Sequence, residues 1–226
     1  MELVKNTIYT YEEMAEQIAG KILNDSCRLV GITGTSCVGK STFTGMINAH
    51  LTKAECTTQI MKADDYLCRQ HRGITSYWNR VESSYLKAEY YNWELLKKDI
   101  GLLHGGTSVT GGCYTRGIGW EASRTMYPAD CLFVEGLFLD SVQAAEYVEF
   151  DLLISLAAED ELIRKLRMER DDYYRQNYKN FSRTKDETLK EIEDTLLAGK
   201  SYKVCSGKDD YFRLQVLENY RMTWNV

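Results

Sequence analysis

Residues 28–41 read Arg28-Leu29-Val30-Gly31-Ile32-Thr33-Gly34-Thr35-Ser36-Cys37-Val38-Gly39-Lys40-Ser41. The apolar run RLVGIT over 28–33 predicts a short buried strand, and Ser41 to Leu51 predicts a helix. Between them, Gly34 to Ser41 matches GxxxxGK[ST] in full. Each residue type has a physical reason. Glycine lets the backbone turn tightly, so that its N–H groups surround a phosphate. The helix that follows points its positive end at the same anion. A lysine at position 40 neutralises charge on the β- and γ-phosphates, and a hydroxyl at position 41 ligates Mg²⁺. A chain of this length shows such a match by chance about once in a hundred, and the flanking strand and helix supply the context the motif requires. The stretch therefore predicts a site for ATP or another nucleoside triphosphate with Mg²⁺. Its members are Gly34, Thr35, Ser36, Cys37, Val38, Gly39, Lys40, Ser41 and Thr42.

Working outward, Tyr11 to Asn24 carries Met14, Ala15, Ile18, Ala19 and Ile22 at helical spacing. After the motif, Thr57 to Ala63 suits a strand that ends on Asp64-Asp65, and Trp93 to Leu103 suits an amphipathic helix. The glycine-rich stretch Gly105 to Gly119 reads as a loop or hairpin. Asp130 to Val134 and Phe150 to Leu156 are apolar runs of strand length, the first stopping at Glu135-Gly136. Glu159 to Tyr178 predicts an arginine-rich helix. Thr184 to Leu197 predicts another, stopped at Gly199, and Tyr211 to Tyr220 is read as a last helix. Strands alternating with helices predict an α/β fold of the P-loop NTPase type, a parallel sheet with helices on both faces and an arginine-bearing lid helix. One domain spans 1–226, with lid and substrate insertions at 68–120 and 159–200. In such sheets ligands sit beyond the carboxyl ends of the strands, where Gly34, Asp64 and Glu135 would converge.

Composition narrows the class of partner. The chain has 226 residues, 27% charged, with a net charge of -5. It has no general attraction for nucleic acid or an anionic membrane. No segment reaches transmembrane length, and Met1 to Tyr11 lacks the apolar run of a secretory signal. Seven cysteines without a CxxC pair argue against zinc and for reduced thiols in a cytoplasmic protein. The expected partner is a small-molecule acceptor, and both a monomer and a homo-oligomer remain open.

Several side chains are candidates for chemistry. Asp64 or Asp65 at a strand end can accept a proton from an attacking hydroxyl or hold Mg²⁺; a solvated turn is the other reading. Glu135 stands where an NTPase places a second metal-associated carboxylate, or simply caps a turn. Arg164, Arg167 and Arg170 recur every three residues, near Arg175. They can close over a transferring phosphoryl group, or pair with Glu161, Glu169, Asp171 and Asp172 on a solvated face. The aromatics from Tyr77 to Trp93, with Tyr114 and Trp120, can stack a ring or fill a core.

Taken together, the chain resembles the uridine kinase and phosphoribulokinase family of P-loop kinases. The resemblance covers roughly Leu29 to Arg175 and rests on GITGTSCVGKST, ADDY, YYNWELL, FVEGLF and RKLRMERD. It implies that Asp64 is the general base toward the acceptor hydroxyl, beside Lys40 in the catalytic set. It implies that Glu135 lies near the metal with Ser41 and Asp64, and that Arg164, Arg167 and Arg175 meet phosphate or substrate. Tyr91 and Tyr114 are the remaining substrate candidates. Uridine kinases carry a PxYDFxxHxR-like segment after the WELL-like helix; here GGCYTRGIGWEASR keeps the tyrosine, Tyr114, but not the histidine or the Asp-Phe pair. The implied acceptor is thus a hydroxyl of a nucleoside, a sugar or another small alcohol. A nucleotide-dependent regulatory ATPase or switch without such an acceptor is the competing class, and a general base beside an acceptor is what would separate the two.

Overall fold

A computed structural model describes residues 7–68, 87–115, 119–178, 181, 183–201, 211–217 and 221–224. The chain runs β1 (Ile8–Thr10), α1 (Tyr11–Asn24), β2 (Leu29–Gly34), α2 (Lys40–Lys53) and β3 (Thr58–Lys62). A 3-10 turn (Ala63–Tyr66) follows, and later α3 (Trp93–His104), β4 (Val109–Thr115), β5 (Gly119–Met126) and β6 (Cys131–Glu135). Then come the short α4 (Val142–Ala145), β7 (Leu152–Ala158), α5 (Asp160–Asn177), α6 (Lys185–Ser201), β8 (Tyr211–Leu217) and β9 (Arg221–Trp224).

Seven strands form one sheet in the order β1-β9-β8-β7-β2-β6-β3. The five strands from β8 to β3 are parallel, while β9 and β1 add an antiparallel edge. The sheet is therefore mostly parallel. Alternation along β6 explains its two cores. Cys131 and Phe133 face one side, with Met14 and Ile18 of α1, Phe43 and Ile47 of α2, and Ile192 of α6. Leu132 and Val134 face the other, with Leu96, Ile100 and Leu103 of α3. Because helices cover both faces, the central strands are apolar throughout, and every residue of β6 is buried.

Local chemistry sets the boundaries. Thr10 caps α1 in a reciprocal capping box with Glu13. Asn92 caps α3 by accepting from Leu95 N at 2.9 Å. At the amino ends of the strands, Asp151 Oδ2 accepts from Arg28 N and Leu29 N (2.7 and 2.9 Å). Asp130 Oδ2 likewise accepts from Thr57 N and Thr57 Oγ1 (2.9 and 2.6 Å). Each aspartate fixes the start of the neighbouring strand.

Two expectations are corrected. The helix expected over Tyr211 to Tyr220 is a strand where it is described: 211–217 is β8. Phe212, Leu214 and Val216 meet the core at a period of two, and β9 turns back antiparallel on it. Gly199 does not stop α6, which continues to Ser201. The Gly105–Gly119 stretch does contribute to a hairpin, β4–β5, with a bulge between Gly111 and Cys113.

Candidate active site

The P-loop joins β2 to α2. Gly34 lies at φ 131° and Gly39 at φ 95°. A side chain at Gly34 would strike Leu156 O of the adjacent strand, because a Cβ there would sit 2.1 Å from it. Gly39 is the N-cap of α2 and gives it no side-chain cap, so the first amides of the helix remain available to an anion. Cys37 takes φ 70°, an uncommon conformation for a residue with a side chain. Tyr11 of α1 supports the loop from below by donating its hydroxyl to Val38 O (3.2 Å).

Lys40 lies within the loop, its Nζ donating to Gly34 O and Thr35 O (2.8 and 2.9 Å). Ser41, at the first turn of α2, donates Oγ to Glu135 Oε1 (3.1 Å). Glu135 is the last residue of β6 and is buried. Thr42 follows as an exposed residue of α2.

The aspartate pair reaches the same end of the sheet through the register Lys62↔Glu135. Gly136 permits the approach, since a Cβ on it would come within 2.3 Å of Ala63 Cβ. Asp64 and Asp65 then part company. Their backbone is a 3-10 turn, not an extended strand, so they diverge by about a third of a turn instead of by strand alternation. Asp65 is nearly buried and accepts from Arg124 Nη2 on β5 (2.7 Å). Asp64 Oδ1 accepts from the hydroxyl of Tyr91 (3.2 Å).

Tyr91 is placed by backbone bonds from Cys68 N to Tyr90 O and from Asn92 N to Tyr66 O, which lay 90–92 against 66–68. Its ring stacks on Trp93 at 5.1 Å. Burial first, and then the Asp64 carboxylate, push its hydroxyl well above the ordinary tyrosine range, so it remains a proton donor. Tyr66 ties the turn to α3 by donating to Asp99 Oδ2 (3.0 Å). Tyr114 lies on β4 opposite Trp120; its side chain and the aromatics from Tyr77 to Tyr85 fall outside the described residues.

The arginines separate sharply. Arg164 is on the surface, paired with Glu193 of α6 (2.7 Å). Arg167 is buried and paired with Glu191 of α6 (3.0 Å). Arg175 joins Asp172, Thr188 Oγ1 and the carbonyls of Arg183 and Thr184. These three tie α5 to α6 or to its approach. The arginine that reaches the P-loop is Arg170, whose Nη1 donates to Ser36 Oγ (3.3 Å) and Cys37 Sγ (2.8 Å). Its signal in the sequence was the same three-residue spacing, which does not say which member faces the loop.

A serine hydroxyl paired with a buried carboxylate, a lysine and an arginine thus meet at one loop, and Asp64 follows the strand next to that carboxylate. Among the described residues no group of three or more His, Cys, Asp or Glu could hold a metal ion. The oxygen pair of Ser41 and Glu135 suits a hard cation that takes its other ligands from phosphate and water. No helix of the described residues is long and apolar enough to cross a membrane.

Comparison with known proteins bears on the family and the fold. Residues 29–181 match the model of the phosphoribulokinase / uridine kinase family. No curated protein matches the chain. Among solved structures, a D-glycerate 3-kinase from Cryptococcus neoformans superposes with a TM-score of 0.66 at 12% identity, covering 90% of this chain and 95% of that one. A possible uridine kinase from Bacillus stearothermophilus gives a TM-score of 0.50 at 20% identity, covering 76% of this chain and 96% of that one.

Proposed function

Since the chain belongs to the phosphoribulokinase / uridine kinase family of P-loop kinases, we propose that it transfers the γ-phosphoryl group of ATP to a hydroxyl of a small nucleoside- or sugar-like molecule. The observation that carries this reading is the pairing of Ser41 with Glu135, with Asp64 on the next strand end. Metal ligands and a base then lie at the same, carboxyl end of one sheet, as an in-line transfer needs. Mg²⁺ held by Ser41 and Glu135 would neutralise charge on the phosphate oxygens.

Lys40 leaves the loop carbonyls for the β- and γ-phosphates, where a full positive charge is worth more than two carbonyl contacts. Asp64 takes the proton of the acceptor hydroxyl as the new P–O bond forms. Tyr91 holds that carboxylate in place through its hydroxyl. Arg170 supplies the guanidinium that meets the phosphates from the lid side, in place of Arg164 and Arg167, whose charges are engaged by α6. Asp65 is held by Arg124 and acts in structure, not in chemistry.

The test is an ATP-consumption screen across nucleosides, sugars and vitamins, run with wild type and Asp64→Asn. An acceptor that stimulates wild type at least tenfold over water and leaves Asp64→Asn at background supports the kinase. ATP hydrolysis that no acceptor stimulates, equal in both proteins, would instead fit a regulatory ATPase.

A further inference from the structure

Arg170 is held in an unusual way. Neighbouring residues on a helix do not face each other, yet Arg170 Nε and Nη2 both donate to Oδ1 of the very next residue, Asp171 (3.0 and 2.8 Å). The guanidinium is thereby turned sideways and its plane fixed, leaving Nη1 to reach Ser36 and Cys37. Its Cζ lies 5.8 Å from the ring centroid of Tyr174.

Asp171 is itself fully buried. Its second oxygen accepts from Thr188 Oγ1 of α6 (3.1 Å) and stands 3.6 Å from Arg183. Arg183 pairs with Glu191, and Glu191 with Arg167. Burial alone would raise the Asp171 carboxyl, but Arg170, Arg167 and Arg183 hold it below the ordinary aspartate range. It is therefore ionised at neutral pH. Arg167, Arg170 and Arg183 are thus linked through Asp171 and Glu191 in one connected network of ion pairs.

We propose that Asp171 is a positioning residue for nucleotide binding: it fixes the Arg170 guanidinium over Ser36 and Cys37, so that the phosphates meet a cation already in place. Thr188 and Arg183 fix Asp171 in turn, which makes the packing of α6 part of the phosphate site. This rests on the reading of Arg170 given above. Preorganisation is the physical gain, because a free arginine must be ordered on binding and this one is ordered beforehand. A purely structural Asp171 would instead hold α5 to α6 and affect nucleotide only through general stability.

Calorimetric titration of the full chain with Mg·ATP separates the two, using Arg170→Ala, Asp171→Asn, their double variant and Thr188→Val. Each is also melted without nucleotide. Arg170→Ala should weaken binding roughly tenfold or more, and Asp171→Asn should weaken it by about tenfold, a normal coupling for groups in contact. The double variant should bind no worse than Arg170→Ala, because the carboxylate acts only through the guanidinium. Thr188→Val, which deletes one hydroxyl, should lose about two- to fivefold in wild type and nothing in the Arg170→Ala background. If Asp171→Asn does not fold, that last pair of measurements carries the decision. Additive losses, or wild-type affinity in Asp171→Asn, overturn the positioning role while leaving Arg170 on the phosphates. Wild-type affinity in Arg170→Ala removes the phosphate reading of Arg170 itself.

Discussion

The two ends of the sheet use the same residue type for opposite purposes. At the amino ends of the strands, Asp130 and Asp151 accept from backbone amides of Thr57, Arg28 and Leu29. Each bond ties one strand start to the next, and the carboxylate is committed to the fold. At the carboxyl ends, Asp64 and Glu135 accept from side-chain hydroxyls, of Tyr91 and Ser41. A hydroxyl can turn away and a backbone amide cannot. Carboxylates that a substrate or metal must claim are held by partners that can let go.

Five substitutions press on this contrast. The largest effect is expected from Lys40→Ala at the carboxyl end. It removes the charge opposite the β- and γ-phosphates, and turnover should fall to background while the melting temperature changes little. Wild-type turnover in that variant would dissolve the site. Next is Asp64→Asn, which keeps shape and loses the base: turnover should fall by roughly 10²–10⁴-fold with nucleotide binding retained. Asp65→Asn should do the reverse, lowering stability through Arg124 and sparing chemistry. A dead Asp65→Asn beside a working Asp64→Asn would exchange the two roles.

Gly136→Ala is the fourth. Its methyl group would have to displace the 3-10 turn at Ala63, costing about 1–3 kcal/mol of stability and moving Asp64 away from Glu135. Chemical denaturation and the turnover assay should fall together; unchanged values would mean that the turn yields freely. The smallest effect belongs to the amino end. The Thr57 hydroxyl, followed by its backbone amide, holds Asp130 below the ordinary aspartate range. A lowered pKa gives stability that is present above about pH 4 and is lost as pH falls through the folded value. Asp130→Asn should therefore flatten that acid limb slightly without touching activity. An Asp130→Asn enzyme impaired at neutral pH would show that the two ends are not separate.

Local chemistry was legible in the sequence, and orientation was not. Gly34 to Ser41 could be read because the glycines, the lysine and the hydroxyl each answer a local demand of one loop. The pairing of Tyr91 with Asp64 depends on segments that meet only through the 66–68 and 90–92 backbone contacts. The arginines show the limit most plainly. Residues three apart on a helix are rotated by about 60° from one another, so Arg164 and Arg170 point some way apart, and only the fold decides which one faces the P-loop. In β8, only seven residues long (YFRLQVL), a helical and a strand period are hard to tell apart. Its Phe212, Leu214 and Val216 do alternate, and parallel pairing with β7 fixed the outcome.

The edge strands carry a consequence of timing. β1 has its hydrogen-bonded neighbour in β9, with Ile8 beside Thr223, so the first described strand pairs with the last described one. The helix that follows β1 holds up the P-loop through Tyr11. During synthesis, β1 waits for roughly two hundred further residues before its partner strand exists, and closing so long a loop is slow. A nascent or carboxy-terminally nicked chain would thus have its phosphate loop in sequence but an open flank beneath it, a form that proteases and chaperones can tell from the finished protein.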